Sequence, residues 1–169
     1  RIAVLARGTH LVLDESARTH LELLKSMKDG ARAGSLLGAI DQTSTSAGAR
    51  KLARWLSAPL AQVGPIAARL DAVELLVASA VWREQLGGLL KEVADVERLC
   101  GRLSLQSGTP RDLHALGRSL QRLADLGAAL SGGPSASPLL ASLAGPLAND
   151  QVLALGKTLS SAVIDEPPA

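Results

Sequence analysis

Aromatic side chains are almost absent from this chain of 169 residues, which has two tryptophans and neither phenylalanine nor tyrosine. Hydrophobic residues still make up 47% of the sequence, so the core must be built mainly from leucine, alanine and valine. Leucine and alanine favour helices, whereas sheets are enriched in aromatic and β-branched residues. The composition therefore predicts an all-α fold, a multi-helix bundle.

Disulfides, a strong charge of one sign and long apolar runs are also missing. The single cysteine excludes an internal disulfide and suits a reducing compartment. A net charge of +2, from 18 basic and 16 acidic residues, is too small to indicate nucleic-acid binding by itself. No signal segment or membrane-spanning run is evident. We expect a soluble, cytoplasmic protein without a membrane partner and, because the chain begins at Arg1 rather than Met, a fragment of a longer protein.

The spacing of apolar residues divides the chain into five segments of one domain, 1–169. Residues 1–13 alternate in polarity around Gly8, which predicts a short N-terminal β hairpin. Helices are predicted over 14–60, a helical bundle over 63–130 and closing helices over 138–166. The Gly- and Ser-rich residues 131–137 are expected to form a flexible loop.

Capping residues and apolar stripes outline the individual helices. Asp14, Thr45 or Ser46, and Thr109 are placed to cap helices, and Pro110 suits a first helical turn. The predicted inward-facing stripes are Ala17, Leu21, Leu24 and Met27; Leu52, Trp55 and Leu56; Ile66, Leu70, Val73 and Val77; Trp82, Leu86 and Leu89; Val93, Val96, Cys100 and Leu103; Leu113, Leu116, Leu120, Leu123 and Leu130; and Val152, Leu155, Leu159 and Val163. We expect part of the last stripe to be uncovered.

Residues 34–60 are more specific than these patterns. They contain Ser-Leu-Leu, then Asp41, a threonine-rich bend, a helix with Gly48-Ala-Arg50, and the ending Arg-Trp-Leu-Ser-Ala-Pro-Leu. This segment resembles the start of the core, or lever, domain (domain III) of the MutS family of DNA mismatch-repair ATPases. Similar segments occur in the family's order at 13–23, 66–74, 95–103, 110–113 and 164–168. The signature residues are Asp14, Leu21, Asp41, Gly48, Trp55, Pro59, Arg69, Glu97, Arg98, Arg102, Pro110 and Asp112.

The resemblance implies one part of a larger machine. Family members dimerise around duplex DNA, recognise a mispair, bind ATP with Mg²⁺ and recruit MutL. Their core domain links the ATPase end to the DNA-binding clamp. The fragment would then be a coupling domain without mismatch-binding, clamp or ATPase domains, and it would reach mismatched double-stranded DNA, a second copy and MutL through the full-length protein. Two alternatives stay open: a MutS-like protein of recombination without mismatch recognition, and a stand-alone helical protein-interaction module.

No set of residues indicates catalysis, a cofactor site or a metal site. The sequence Gly156-Lys157-Thr158 resembles the end of a phosphate-binding loop, but position 151, where that loop needs glycine, is glutamine. We therefore expect no ATPase activity from this fragment alone. The three histidines, His10, His20 and His114, have no other metal-ligand residues near them at the spacing of a metal site.

Basic residues are the remaining candidates for ligand contact. Possible DNA-phosphate contacts are Arg50, Lys51 and Arg54 on one helix and Arg111, Arg118 and Arg122 on another. The competing interpretation is a solvated surface on which Arg122 pairs with Asp125. Among the signature residues, we predict that Glu97 forms an ion pair with Arg50, Arg69 or Arg102.

Overall fold

The computed structural model describes residues 8–134 and 137–163, and its regular secondary structure in these ranges is helical, which confirms the all-α prediction. The chain forms two compact units, Arg1–Arg69 and Leu70–Ala169. Each helix in the described ranges is too short or too polar to cross a lipid bilayer. The helices are α1 (Glu15–His20), α2 (Leu36–Ile40), α3 (Ser46–Ser57), α4 (Val63–Ala78), α5 (Ala80–Lys91), α6 (Val96–Ser104), α7 (Pro110–Ser131), α8 (Pro138–Leu147) and α9 (Asp150–Ala162). The single-domain boundaries given above stay predictions.

Local capping explains where most of these helices begin. Asp14 and Thr45 accept hydrogen bonds from backbone N–H groups in the first turns of α1 and α3, as predicted. Thr109 and Asp112 form a reciprocal capping box at α7, with Pro110 in the first turn. Each of these side chains satisfies a backbone donor that the helix itself leaves unpaired.

The predicted N-terminal β hairpin is not seen. Its first strand lies outside the described residues, and the second pairs with a segment far along the chain. Leu11 N–H donates to the Pro59 carbonyl at 2.8 Å, Ala61 N–H donates to the Thr9 carbonyl at 3.0 Å, and His10 forms an isolated antiparallel bridge with Leu60. The backbone groups of residues 9–11 are therefore hydrogen-bonded to residues 59–61, which follow α3. The alternation of polar and apolar residues could not indicate so distant a partner.

The first predicted helix is also shorter than expected. Its stripe was placed on Ala17, Leu21, Leu24 and Met27, but α1 ends at His20 and both Leu21 and Met27 are exposed. The backbone of Glu22 is left-handed, with φ of +46°, so the α-helix cannot continue through it. The core of this unit instead contains Leu23 and Leu37, whose backbones are joined by a hydrogen bond of 2.9 Å.

Helix α7 is the centre of the second unit, where it contacts α5, α6, α8 and α9. Two buried clusters lie along it. One contains Leu99 of α6 with Leu116 and Leu120 of α7, and the other contains Trp82 and Leu86 of α5 with Leu126 of α7. The predicted α7 stripe is therefore confirmed at Leu116 and Leu120. The first half of α7 packs against α6 and the second half packs against α5.

Glycines allow α9 to approach α7 closely. A Cβ added to Gly117 would lie 3.0 Å from the Ser160 nitrogen, and one added to Gly156 would lie 3.2 Å from the Gly117 carbonyl oxygen. Gly156 lies next to Leu120 and Gln121 while Gly117 lies next to Leu159 and Ser160, so the two helices run antiparallel. Side chains at these positions would push α9 away from α7.

The predicted stripe of α4 is wrong. Ile66, Leu70, Val73 and Val77 are all exposed, Val77 by 67%. Ala72 is buried instead, and the partly buried Leu75 and Leu76 pack against the Trp82 cluster. Because α4 carries apolar residues on several sides, its sequence did not identify the face that would be covered.

The stripe of α6 is displaced by one residue at Cys100. We expected this cysteine in the core, but it is exposed, whereas its neighbour Leu99 is only 4% exposed. Val96, Leu99 and Leu103 all pack in the cluster on α7. Their spacings of three and four residues form one helical face, and Cys100 lies about 100° away from Leu99 around the helix axis.

Candidate functional site

The first group of predicted cation contacts lies on α3, in the Arg1–Arg69 unit. Lys51 Nζ is 5.8 Å from the centre of the Trp55 ring, and Arg69 Cζ is 3.9 Å from it. Arg54 is exposed and Arg50 is half-buried. The tryptophan face therefore attracts two cations, since the ring carries negative charge density on its faces.

This arrangement corrects the prediction that Trp55 is a core residue. Its side chain is 40% exposed, and α3 buries none of its residues fully. Leu52 and Leu56 are half-buried. The ring packs under the guanidinium of Arg69 rather than inside an apolar cluster. Trp55 is thus a surface residue that pairs with a basic side chain.

The second group of predicted cation contacts lies on α7. Arg111 and Arg118 are exposed, and the side chain of Arg122 is 43% exposed. The Arg122 guanidinium donates to Asp125 at 3.0 Å, as predicted, and also pairs at 2.8 Å with Glu92, the residue that follows α5. The hydrogen bond to Asp125 and the negative charge of Glu92 raise the pKa of Arg122. Arg122 is therefore held by two carboxylates.

Arg118 and Arg122 line a groove between α7 and α9, which we call the α7–α9 groove. Its volume is about 490 Å³, and its lining residues are Arg118, Gln121, Arg122, Ala124, Asp125, Leu153 and Lys157. Lys157 was not among the sequence candidates for ligand contact. Glu92 was missed as well, because it lies thirty positions before its partner Arg122. No sequence pattern identified Lys157 as a lining residue, because the crossing of α7 and α9 is formed only in the tertiary structure.

Arg102 and Asp112 form the best-defined ion pair among the signature residues. Arg102 Nη2 lies 2.5 Å from Asp112 Oδ1, while Asp112 Oδ2 accepts from the Thr109 N–H at 3.0 Å. Asp112 is buried and Arg102 is half-exposed. One carboxylate therefore caps α7 and ties α6 to it. Pairing of Glu97 with Arg50, Arg69 or Arg102 stays a prediction.

Several other signature residues shape local backbone. Asp41 pairs with Arg32, and its Oδ1 accepts from the Thr43 N–H at 2.8 Å. Gly48 N–H donates to the capping Thr45 hydroxyl at 3.0 Å, and the Pro59 carbonyl accepts from Leu11. Arg98 N–H donates to Asp95 Oδ1 at 3.2 Å in the first turn of α6. These contacts stabilise turns and the first turns of helices.

Within residues 8–134 and 137–163, no three His, Cys, Asp or Glu side chains come together in a way that could hold a metal ion. His10 contacts the Thr9 hydroxyl at 2.9 Å, and His20 contacts Ser16 at 3.4 Å. His114 lies on α7, where its Nδ1 is buried without a partner in the described residues.

The family model of MutS domain III matches residues 16–169. The chain belongs to the MutS domain III family. It is similar to the DNA mismatch repair protein MutS of Myxococcus xanthus (strain DK1622), with 55% identity over 168 residues, 99% of this chain and 18% of the relative. The same protein of Anaeromyxobacter dehalogenans (strain 2CP-C) is 45% identical over 169 residues, all of this chain and 19% of the relative. That of Thermosynechococcus vestitus is 42% identical over 160 residues, 94% of this chain and 18% of the relative.

The chain thus spans about a fifth of the length of these curated MutS relatives. The similarity covers the cations of both α3 and α7, but it assigns no ligand to them. Contact between DNA phosphates and Arg50, Lys51, Arg54, Arg111, Arg118 or Arg122 stays a prediction.

Proposed function

We propose that this chain is the helical core of a longer mismatch-repair protein and that it passes movement between an ATPase end and a DNA-binding clamp. The observation that supports this most directly is α7. It has 22 residues, which at 1.5 Å per residue give a length of about 33 Å. Four other helices of the same unit contact it.

The packing along α7 makes it a suitable strut. Leu116 and Leu120 are buried against α6, and Leu126 is buried against α5 ten residues after Leu116. Between these points the buried Ser119 hydroxyl accepts from the Ala94 N–H at 2.9 Å and donates to the Ala115 carbonyl at 2.7 Å. Because closely packed helices resist local deformation, a displacement at one end of α7 moves the helix as a body.

The remaining functions follow from the relatives and belong to the full-length protein. The relatives are named as DNA mismatch repair proteins, which favours mismatch repair over recombination or a stand-alone interaction module. We propose mismatched duplex DNA, a second copy of the protein and MutL as partners, and ATP with Mg²⁺ as the cofactor, bound outside this chain. In this proposal the chain itself is not an enzyme, and the protein acts in the cytoplasm.

A Gly117→Val substitution in the full-length protein tests the coupling role. A Cβ at this position would lie 2.8 Å from Ser160 Oγ and 3.0 Å from Leu159 Cβ, so valine loosens the contact between α7 and α9. Changes along coupling networks alter coupling by roughly 0.5–2 kcal/mol, and we therefore expect ATP-triggered release of a mispaired duplex to slow about 2- to 30-fold. Mispair affinity without nucleotide and ATP hydrolysis without DNA should stay unchanged.

Gly101→Val is the matched control, because it makes the same change on α6, where no atom of the described residues lies within 4 Å of an added Cβ. Release can be followed by stopped-flow anisotropy of a labelled duplex. Equal release rates in the two variants would contradict a coupling role for the α7–α9 contact.

A further inference from the structure

The α7–α9 groove brings together basic side chains that other contacts do not use. Arg118 of α7 and Lys157 of α9 both line it, and both are exposed. Neither side chain has a hydrogen-bond or ion-pair partner in the part of the chain that the structure describes. Two cations from different helices therefore face the same concave space.

The third basic residue of the groove is already neutralised. Arg122 pairs with Glu92 at 2.8 Å and with Asp125 at 3.0 Å. Its charge is therefore already balanced by two carboxylates and is less available to an anionic ligand. Gln121 donates to the Gly156 carbonyl at 3.3 Å and joins the two helices beside the groove. The positive charge that remains for a ligand is thus that of Arg118 and Lys157.

The rest of the lining is apolar or acidic. Ala124 of α7 and Leu153 of α9 supply apolar surface, while Asp125 supplies one carboxylate. The volume of about 490 Å³ lies within the range of about 300–1,000 Å³ that is typical of ligand pockets. A ligand that fits must offer a negative group, an apolar group and a hydrogen-bond donor at short distances from one another.

We propose that the α7–α9 groove binds an acidic, leucine-containing segment of a partner protein. One carboxylate of the segment lies between Arg118 and Lys157, an adjacent apolar side chain packs on Ala124 and Leu153, and a backbone N–H of the segment donates to Asp125. A peptide can supply all three groups within a few residues. The assignment goes beyond the proposed coupling role and does not depend on it.

A DNA backbone fits this groove less well. Duplex DNA carries one negative charge per about 1.7 Å of its axis, so phosphates next to the one that is bound would approach Asp125 and Glu92. Both carboxylates lie within 3.0 Å of Arg122 and so lie beside the cations of the groove. Their repulsion favours a ligand with isolated carboxylates over a continuous polyanion.

Fluorescence anisotropy with the 169-residue chain tests the proposal. The probe is a short labelled peptide with a single glutamate next to a leucine, and the reference is the same peptide with glutamine for glutamate. We expect the glutamate peptide to bind and added salt to weaken it, since exposed charge pairs are screened. The glutamine peptide should bind at least about fivefold more weakly, because it lacks the charge that the two cations recognise.

Substitutions then locate the site. Arg118→Gln and Lys157→Gln should each weaken binding of the glutamate peptide about two- to fivefold, the range of one exposed charge pair. Lys91→Gln removes the same charge from the exposed end of α5, outside the groove, and should leave binding unchanged. Asp125→Asn should not weaken binding more than about twofold, because the amide oxygen still accepts the peptide N–H and the negative charge beside the bound carboxylate is removed.

Circular dichroism checks that each variant keeps its helices. Equal losses from Arg118→Gln, Lys157→Gln and Lys91→Gln would overturn the assignment, because they would indicate attraction to net charge alone. Absence of peptide binding would also overturn it. Loss of duplex DNA binding in Arg118→Gln and Lys157→Gln, with the peptide unbound, would assign the groove to phosphates instead.

Discussion

The two tryptophans occupy opposite environments, although the sequence placed both in the core. Trp82 is only 9% exposed, and its indole N–H donates to the Ala129 carbonyl at 2.7 Å. Gly133 lies directly against its ring, with no room for a side chain. Trp55 is 40% exposed, and the guanidinium of Arg69 lies over its ring. The burial of a side chain depends on whether another helix covers it. Two tryptophans in similar helical patterns therefore differ in exposure.

Alanine substitutions should separate these environments. Trp82→Ala removes a buried ring and should lower the free energy of unfolding by about 3–5 kcal/mol. Trp55→Ala removes a surface cation–π contact and should lower it by about 1 kcal/mol or less. Urea denaturation followed by far-ultraviolet circular dichroism measures both changes. A larger loss from Trp55→Ala than from Trp82→Ala would contradict the assigned burial.

Fluorescence provides an independent control, because the chain has no other aromatic residue. Emission of the Trp55→Ala variant comes from Trp82 alone and should lie at shorter wavelength, since that ring is buried. Emission of the Trp82→Ala variant comes from the exposed Trp55. Identical emission maxima in the two folded variants would be inconsistent with the structure.

At the scale of single helices, start signals were predictable because they are local. The caps Asp14 and Thr45 and the Thr109–Asp112 box act within one turn, so their spacing in sequence is their spacing in the structure. Helix ends and covered faces were less predictable. The left-handed backbone of Glu22 prevents α1 from continuing, and α4 buries Ala72 rather than its predicted stripe of Ile66, Leu70, Val73 and Val77.

The crossing of α7 and α9 gives a prediction at this scale. In the 169-residue chain, Gly117→Val should lower the free energy of unfolding by about 1–3 kcal/mol more than Gly101→Val does, because overpacking is added to the same change in helix propensity. Thermal or urea denaturation measures the difference. The added Cβ meets Ser160 and Leu159 at position 117 and open space at position 101. Equal losses would mean that α9 does not pack on Gly117.

At the scale of the whole molecule, the charge distribution limits what the chain can do with DNA. The chain carries a net charge of +2, and Arg122 is paired with two carboxylates while Lys51 and Arg69 contact Trp55. These three cations are thus less available to release counterions from a duplex. The groove between α7 and α9 is small and contains a carboxylate, which favours a peptide over a polyanion.

We therefore expect weak duplex binding without mispair selectivity. Anisotropy titrations of the 169-residue chain with a matched duplex and with the same duplex carrying one mispair should give affinities that agree within about twofold. Both should weaken with salt, because any contact is to phosphates. A clear preference for the mispaired duplex would contradict the proposal that this chain transmits movement and that other parts of the protein recognise the mispair.

The helical class, the family and the beginnings of helices could all be predicted from the sequence, because composition, ordered motifs and caps do not depend on contacts between distant residues. Contacts between distant parts of the chain select the covered face of α4, the burial of Leu99 rather than Cys100, and the pairing of residues 9–11 with 59–61. The same packing brings Lys157 and Arg118 to one groove. These outcomes depend on contacts between residues far apart in the chain, and their free energy comes from surfaces that exist only once the helices have packed together.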